Sequence, residues 1–272
     1  MGFVYLHDLN YITIFVYFTG VPLPLSATLR HVIKIGNRPH ITNCIIVNNQ
    51  ILFTSYKTEK IIIYKIDGAY DRDIRLSCRP RGITMIDNDT VAVSYPSKRY
   101  IEILNITTGE VKTTIQIRGR CREISYNERL VYVAILNASL QVMDLKGNVI
   151  HTLYLTAADI EYIECCKDRL YYTLDNSIYC CDLSGHTIWQ FMEENRSTLS
   201  GITTDAYGNV YLVSCIGNKN KLTVISSDGN HHKNLETEDF EFRKGTIYFD
   251  KEHNILLFTN ENNGVSYVFD IK

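Results

Sequence analysis

The sequence has few of the residues that interrupt secondary structure, and it lacks the usual signatures of metal and nucleotide sites. Only 5 prolines and 1 tryptophan occur among 272 residues. The 8 cysteines show no Cys-x-x-C or Cys/His zinc spacing. Phosphate-loop, dinucleotide and G-x-S-x-G nucleophile motifs are also absent. These absences disfavour zinc modules, nucleotide-binding folds and serine hydrolases, and we expect no metal and no cofactor.

Long apolar runs are missing as well. The apolar stretch at residues 11–18 is too short to span a bilayer, no Lys or Arg precedes it, and a Pro-Leu-Pro-Leu segment follows. We therefore interpret residues 1–27 as a leader outside the fold and place the folded domain at 28–272; a signal or membrane anchor is the alternative. Because most of the cysteines lie in apolar runs, we expect reduced thiols and a cytoplasmic location. Because the stretch at residues 11–18 is too short to span a bilayer, we expect no membrane partner.

The residues that are present suit a β-rich globular domain. Hydrophobic residues make up 45% of the chain and charged residues 21%, which provides for a sizeable core. Tyrosine is abundant, with 19 copies, and favours strands over helices. The formal net charge of −2 disfavours a uniformly basic nucleic-acid binder but leaves room for a local basic patch.

One segment, residues 201–229, contains three strand-like runs separated by Asx/Gly turns. Its second strand recurs at residues 50–56, 90–95, 130–135, 169–174, 209–214 and 254–259. Its third strand recurs with polar residues at equivalent positions, about 40 residues apart, which is the length of a four-stranded propeller blade. Those polar residues are Lys65, Asn105, Asp144, Asp182, Ser226 and Asp270.

The sixth copy has no fourth strand, because the chain stops at Lys272. An unassigned strand at residues 30–35 precedes the first copy. Pairing this strand with the last copy would complete the blade and remove an exposed sheet edge. The sequence therefore predicts an all-β fold, a six-bladed β-propeller of four-stranded antiparallel blades that is closed by an N-terminal strand.

The segment GITTDAYGNVYL at 201–212 resembles the opening of an NHL repeat, and Asn220-Lys-Leu222 stands where the family has Asn-His-Leu. The runs at 87–94, 168–172 and 179–185 extend the likeness, so that residues 28–272 resemble the C-terminal propeller of invertebrate tripartite-motif (TRIM) proteins. The resemblance implies a module that selects protein or RNA targets for a ubiquitin ligase. Ligase activity would need RING and B-box modules, which this chain lacks, so we expect no catalysis.

A propeller places the interblade loops and the loops between second and third strands on one face. In this chain those loops are rich in basic residues, which predicts a partner-binding face with planar guanidinium donors for carboxylate or phosphate. Its predicted residues are Arg38, His40, Lys57, Arg79, Arg81, Lys98, Arg99, Arg118, Arg120, Arg122, Lys219, Lys221, Arg243 and Lys244. Alternatively, these side chains are solvated or paired with nearby acidic residues such as Asp159 and Glu161.

We expect the partner to be an acidic protein segment or RNA, and we expect no small-molecule substrate. RNA would require aromatic platforms among the basic residues, and only Tyr56, Tyr95 and Phe242 are candidates. An RNA-binding post-transcriptional regulator is therefore the first alternative. The second is a metal-dependent propeller hydrolase or lyase, for which Glu123, Glu164 and Asp205 could converge in the channel, although only His40 of the 8 histidines lies near a channel mouth.

Overall fold

The computed structural model describes residues 13–16, 25–37, 39–137, 139–155, 159–193, 197–216, 219–236 and 244–272. These residues form 25 β-strands and include no helix. Consequently, the described part of the chain offers no helix that could cross a membrane.

The N-terminal strands are β1 (Thr13–Val16) and β2 (Leu25–Lys34). The first two blades contain β3 (Ile41–Val47), β4 (Gln50–Ser55), β5 (Lys60–Lys65) and β6 (Tyr70–Arg75), then β7 (Ile83–Asp87), β8 (Thr90–Tyr95), β9 (Tyr100–Asn105) and β10 (Val111–Gln116). The third and fourth contain β11 (Cys121–Asn127), β12 (Leu130–Ile135), β13 (Leu140–Asp144) and β14 (Val149–Leu153), then β15 (Ile163–Cys166), β16 (Arg169–Leu174), β17 (Ser177–Asp182) and β18 (Thr187–Met192).

The fifth blade contains β19 (Thr198–Thr204), β20 (Val210–Ile216), β21 (Lys219–Ile225) and β22 (His232–Glu236), and the sixth contains β23 (Gly245–Asp250), β24 (Ile255–Asn260) and β25 (Val265–Ile271) together with β2. Each blade is an antiparallel meander in which consecutive strands pair. The six-bladed propeller predicted from the repeats is therefore confirmed.

Closure of the ring by the N-terminal strand is also confirmed. Strand β2 pairs antiparallel with β25, with Ile33 opposite Ser266. The pairing begins before residue 28, because Ala27 lies opposite Ile271. Strand β1 pairs with the start of β2 and makes this sheet five-stranded. The described parts of the predicted leader thus lie in strands; the rest of residues 1–27 is outside the described residues.

The core lies between the blades. The second strands are almost wholly buried, as in β8, where all six residues are buried. Neighbouring blades share apolar clusters: Ile45 and Leu52 of the first blade pack with Val91 and Val93 of the second. None of the eight cysteines, all of which lie in the described residues, forms a disulfide, and six of them are buried in these layers. Burial on both faces makes the second strands continuous apolar runs, which is the pattern that repeats in the sequence.

Tight turns close the blades on one side of the ring. Asp205 accepts hydrogen bonds from the backbone N–H groups of Tyr207 and Asn209, both at 2.9 Å. Gly208 follows with a φ of 85°, a conformation that glycine adopts without steric cost. This Asx turn keeps Asp205 in the turn, so its carboxylate is not available to the channel.

Candidate functional site

The upper face of the propeller consists of the interblade loops together with the loops between second and third strands. Backbone hydrogen bonds join the two kinds of loop. The Tyr56 N–H donates to the His40 carbonyl at 3.0 Å, and the Leu136 N–H donates to the Arg120 carbonyl at 2.9 Å. The Glu261 N–H donates to the Lys244 carbonyl at 2.9 Å. The two kinds of loop therefore adjoin one another on a shared face.

Six exposed basic residues lie on this face in loops that adjoin one another; together they are the basic sector, which spans the first to third blades. They are Lys57, Arg79, Lys98, Arg99, Arg118 and Arg120. Three contacts join their loops: Leu76 N–H to the Glu59 carbonyl at 2.9 Å, Cys78 Sγ to Ser97 Oγ at 3.4 Å, and Ile117 N–H to the Arg99 carbonyl at 2.8 Å. Strand register and ring closure thus place residues from separate loops side by side.

Most of the basic sector is free of acidic partners. Arg79 contacts Glu59 only at 3.8 Å and lies over the Tyr56 ring, with the guanidinium carbon 5.2 Å from the ring centroid. Within the described residues, the other five basic-sector side chains form no ion pair. Such exposed cations keep their hydrogen-bond donors available to an anionic partner.

Other predicted face residues are paired with carboxylates. Arg122 contacts Glu161 at 3.3 Å and Asp159 at 3.8 Å. His40 and Lys244 both contact the Glu261 carboxylate, at 3.3 and 3.5 Å. These three basic residues are therefore paired locally with acidic residues, as the alternative interpretation of the sequence holds. Ion pairs of this kind at a surface contribute little to stability.

The prediction that Lys219 and Lys221 lie in a loop is wrong. Strand β21 begins at Lys219 and pairs Lys221 with Ser214, because the β20–β21 hairpin continues through the polar segment. The side chain of Lys221 is only 19% exposed and pairs with Glu193, whose side chain is 1% exposed. Arg38, Arg243 and Phe242 lie outside the described residues, and so does the side chain of Lys219.

The two candidate aromatic platforms that the structure describes, Tyr56 and Tyr95, differ in exposure. Tyr95 is fully buried. Tyr56 lies beneath Arg79 and near the His40 ring, with centroids 5.6 Å apart. Tyr154, which the sequence did not suggest, is 85% exposed in the loop that leads to Asp159. Among these described rings, Tyr56 is thus partly exposed, at 39%, and Tyr154 is largely exposed.

Arg81 extends from its interblade loop to the centre of the ring. Its guanidinium carbon lies 5.8 Å from the ring centroid of Tyr162, which belongs to the segment before the fourth blade. Burial opposes its charge, but Tyr162, Glu123, Glu161 and Glu261 together raise the pKa of Arg81, so the guanidinium stays cationic. Its Nε is buried and has no hydrogen-bond partner.

Glu123 lies below Arg81 in the channel and is 3% exposed. Its Oε1 accepts hydrogen bonds from Asn43 Nδ2 at 3.1 Å and from the Ile124 N–H at 3.2 Å, whereas Oε2 has no partner. Burial raises the pKa of Glu123 to about 7, against the lowering effect of Arg81 and these hydrogen bonds. The sequence suggested Glu123 as a possible channel carboxylate, but not Asn43.

A small recess of about 10 Å³, open to solvent, lies at this channel mouth and has room for about one water molecule. Its lining is Ile41, Thr42, Arg81, Tyr162, Ser200, Gly245, Thr246 and Glu261. Of these residues, only Arg81 was predicted to contact a partner. The others lie in first strands or at loop ends of different blades, and no local motif marks them as neighbours.

Deeper in the channel, Glu164 contacts Lys251 at 3.1 Å and accepts a hydrogen bond from Thr204 at 3.2 Å. Glu164 thus has partners of its own. In the described part of the chain, no three His, Cys, Asp or Glu side chains converge on a point that could hold a metal ion.

Exposed carboxylates occupy the opposite, lower face. They lie in the turns between first and second strands and between third and fourth strands: Asp67, Asp87, Asp89, Glu110, Glu128, Asp168, Asp228 and Glu252. A protein with a net charge of −2 therefore carries its basic sector on one face and many acidic groups on the other.

Comparisons with solved structures bear on the fold. The β-propeller domain of Cps50 (Swd1) from Myceliophteria thermophila has a TM-score of 0.69 at 10% identity, covering 90% of this chain and 100% of that chain. Hydrazine synthase from Kuenenia stuttgartiensis has a TM-score of 0.64 at 13% identity, covering 89% of this chain and 77% of that chain. At such low identities the likeness establishes the propeller fold alone.

Comparisons by sequence match a smaller part of the chain than the structural comparisons do. No curated protein matches the chain. The NHL-repeat and tripartite-motif resemblances are not shown by any comparison and stay predictions. The family model of the lambda-carrageenase β-propeller domain matches residues 124–263. Because this match spans just over half of the 272 residues, the chain belongs to the lambda-carrageenase β-propeller domain family.

Proposed function

We propose that this propeller is a non-catalytic binding module that captures an acidic segment of a partner protein on the basic sector. The observation that carries the proposal is that six exposed basic side chains lie in adjoining loops, five of them without an ion-pair partner in the described chain. Guanidinium groups bind carboxylates through two parallel N–H donors, so Arg99, Arg118 and Arg120 suit Asp and Glu side chains.

An acidic protein segment suits the face better than RNA does. RNA-binding surfaces combine cations with exposed aromatic rings on which bases stack. Here Tyr95 is buried, Arg79 packs over the Tyr56 ring, and Tyr154 lies in a different loop from the six residues of the basic sector. The basic sector thus supplies charge and hydrogen-bond donors but few stacking platforms.

The resemblance to TRIM propellers suggests a narrower form of the proposal, in which the module selects substrates for a ubiquitin ligase. A RING module outside these 272 residues would then supply the ligase activity. Recruitment of the acidic partner on the basic sector would be the only step that this propeller performs.

Recognition of an anionic polysaccharide is a second candidate. The family is named after lambda-carrageenase, and the name denotes an enzyme that acts on lambda-carrageenan. The same exposed guanidinium groups would bind the acidic groups of a polysaccharide through paired N–H donors. Competition with lambda-carrageenan therefore forms one arm of the test.

The test compares two charge-reversed double variants in binding to a fluorescent Glu-rich peptide, followed by fluorescence anisotropy. Arg118→Glu with Arg120→Glu alters the basic sector, whereas Lys65→Glu with Lys146→Glu alters exposed lysines toward the lower face. We expect the first pair to weaken binding at least about tenfold, or about 1.4 kcal/mol, and the second to leave it nearly unchanged.

Equal affinities for the two double variants would contradict the assignment to the basic sector. Displacement of the peptide by lambda-carrageenan but not by RNA, with carrageenan the tighter ligand, would favour the polysaccharide. Tighter binding of RNA than of the peptide would favour a post-transcriptional regulator.

A further inference from the structure

Three arginines of the basic sector lie around one turn between the second and third blades. The segment 118–120, between β10 and β11, contains two of them and passes beside Arg99, which ends the loop between β8 and β9. The Ile117 N–H donates to the Arg99 carbonyl at 2.8 Å, and the Cys121 thiol donates to the Tyr100 carbonyl at 3.7 Å. Because these contacts lie on either side of the segment, its two arginines are held next to Arg99.

The turn within this segment is tight. The Gly119 N–H donates to the Ile117 carbonyl at 3.0 Å, which closes a three-residue turn centred on Arg118. Gly119 has a φ of 141°, and a Cβ at this position would be 2.5 Å from Ile135 Cγ2. Glycine therefore fits between the two arginines where a larger residue would be strained, and the short turn keeps the arginines close to each other.

The three arginines are exposed and have no partner in the described residues. We call them the arginine cluster: Arg99, Arg118 and Arg120. Within the described chain, their side chains form no ion pair and no hydrogen bond. Lys98, next to Arg99, adds a further exposed cation. Because guanidinium groups have donors and no acceptor, the cluster needs its acceptors and its counter-charge from a ligand.

A single carboxylate engages only part of such a cluster. Its two oxygens and single charge match one planar guanidinium. A phosphate monoester has three strong acceptor oxygens and a charge of about −1.5 to −2 at pH 7. It can therefore accept from several guanidinium groups at once, which is why clusters of arginines recognise phosphorylated peptides.

We propose that the arginine cluster binds a phosphorylated serine or threonine in the acidic segment of the partner protein. The phosphate accepts from the arginine cluster, and the flanking acidic side chains of the segment lie toward Lys57 and Arg79 at the other end of the basic sector. This inference rests on the proposed function, because it names the group in the acidic segment that the basic sector recognises. Capture of the partner then depends on whether the partner is phosphorylated.

The test measures fluorescence anisotropy with the full chain and three labelled peptides. The peptides share one Glu-rich sequence and differ only at its centre, which is phosphoserine, glutamate or serine. At about pH 7.5 we expect the phosphoserine peptide to bind at least about tenfold more tightly than the glutamate peptide. At about pH 5.5, below the second phosphate pKa of about 6, this preference should fall at least about threefold. The glutamate peptide is the reference, because carboxylates with a pKa of about 4.3 stay ionised.

Variants assign the phosphate to the arginine cluster. Arg118→Gln and Arg120→Gln should each lower the preference for phosphoserine over glutamate at least about threefold. Lys57→Gln removes a charge of the basic sector outside the cluster and is the matched control. It should weaken both peptides alike and leave the preference unchanged. All three positions are exposed, so we expect these variants to fold as the unaltered protein does.

The outcomes separate this inference from the proposed function. If the glutamate peptide binds on the basic sector and the phosphoserine peptide binds no more tightly, the inference is overturned and the proposed function stands. An equal loss of preference in Lys57→Gln and Arg118→Gln would also overturn it. If none of the three peptides binds, both fail. Displacement of the phosphoserine peptide by RNA at lower concentrations than by unlabelled phosphoserine peptide would point to a nucleic-acid backbone as the ligand and overturn the inference too.

Discussion

Glu123 is the buried acid that links separate blades across the channel. Thr246 of the sixth blade donates to Asn43 of the first, and Asn43 donates to Glu123 of the third. Gly82 lies against the same carboxylate, since an added Cβ would be 2.2 Å from Glu123 Oε1. The charged and titratable groups that act on Glu123 are Arg81 and Glu164, with Cys121 and Tyr162 also near.

This environment predicts a pH-dependent contribution to stability. The pKa of Glu123 rises from its usual value of 4.5 to about 7 on folding, so the folded state retains the proton between these values and the unfolded state does not. The stabilisation is fully present below pH 4.5 and is lost as pH rises through 7. Its size is roughly 3 kcal/mol, at about 1.4 kcal/mol per pKa unit.

We expect Glu123→Gln to lack this dependence. In urea unfolding at pH 5 and pH 8, the variant should therefore gain stability relative to the unaltered protein as pH rises. Glu110→Gln, at an exposed position, serves as the control and should follow the unaltered protein at both pH values. Parallel pH profiles for Glu123→Gln and the unaltered protein would refute the assignment.

At the scale of elements, strand β2 decides whether the ring is closed. It pairs with β25 from Ala27 to Lys34, and one shift of register between Leu29 and His31 interrupts the ladder. This pairing covers the edge that the sixth blade would otherwise expose. Strand β2 thus supplies the fourth strand of the last blade.

Neighbouring residues of β2 lie on opposite faces of the sheet. Ile33 is 2% exposed and belongs to the core cluster that contains Leu257 and Val268, so it packs on the second and third strands of the sixth blade. The adjacent Val32 is 42% exposed. The two positions therefore differ in burial within one strand.

This difference allows a matched test of closure. Ile33→Ala should lower the free energy of unfolding by about 2 to 4 kcal/mol, because it leaves a cavity between β2 and the sixth blade. Val32→Ala, on the exposed side of the same strand, should cost less than about 1 kcal/mol. Urea unfolding measures both, and equal losses would show that β2 does not close the core.

At the scale of the whole molecule, the distribution of charge matters more than its sum. The basic sector lies on the upper face, and the exposed turn carboxylates lie on the lower face. At low ionic strength, where screening extends over tens of ångströms, an anionic surface can interact with one face while the other points away.

We therefore expect the protein to be retained on a sulfonate cation exchanger at pH 7 and low salt, despite its net charge of −2. The two double variants of the binding test change the net charge equally, so they form a matched pair. Arg118→Glu with Arg120→Glu should elute at clearly lower salt than Lys65→Glu with Lys146→Glu. Identical elution would mean that net charge alone governs retention.

Much of the fold could be predicted because its signals are local. Alternating and continuous apolar runs, Asx/Gly turns and the period of about 40 residues identify the blades without any long-range information. The last blade lacks a fourth strand of its own, so the unassigned strand near Ile33 was predicted to complete it. The extent of the β20–β21 hairpin was less predictable, because backbone pairing carries it through the polar residues that include Lys221.

The sequence by itself determined the six-bladed ring and the loops that share its upper face, because strand periodicity and turn chemistry act between residues close in the chain. Only the tertiary structure decided which basic residues stay unpaired and which groups meet in the channel. Arg81, Tyr162 and Glu261 come from blades far apart in sequence, and they become neighbours only when the ring closes. Burial then sets the protonation of Glu123, which no local pattern encodes.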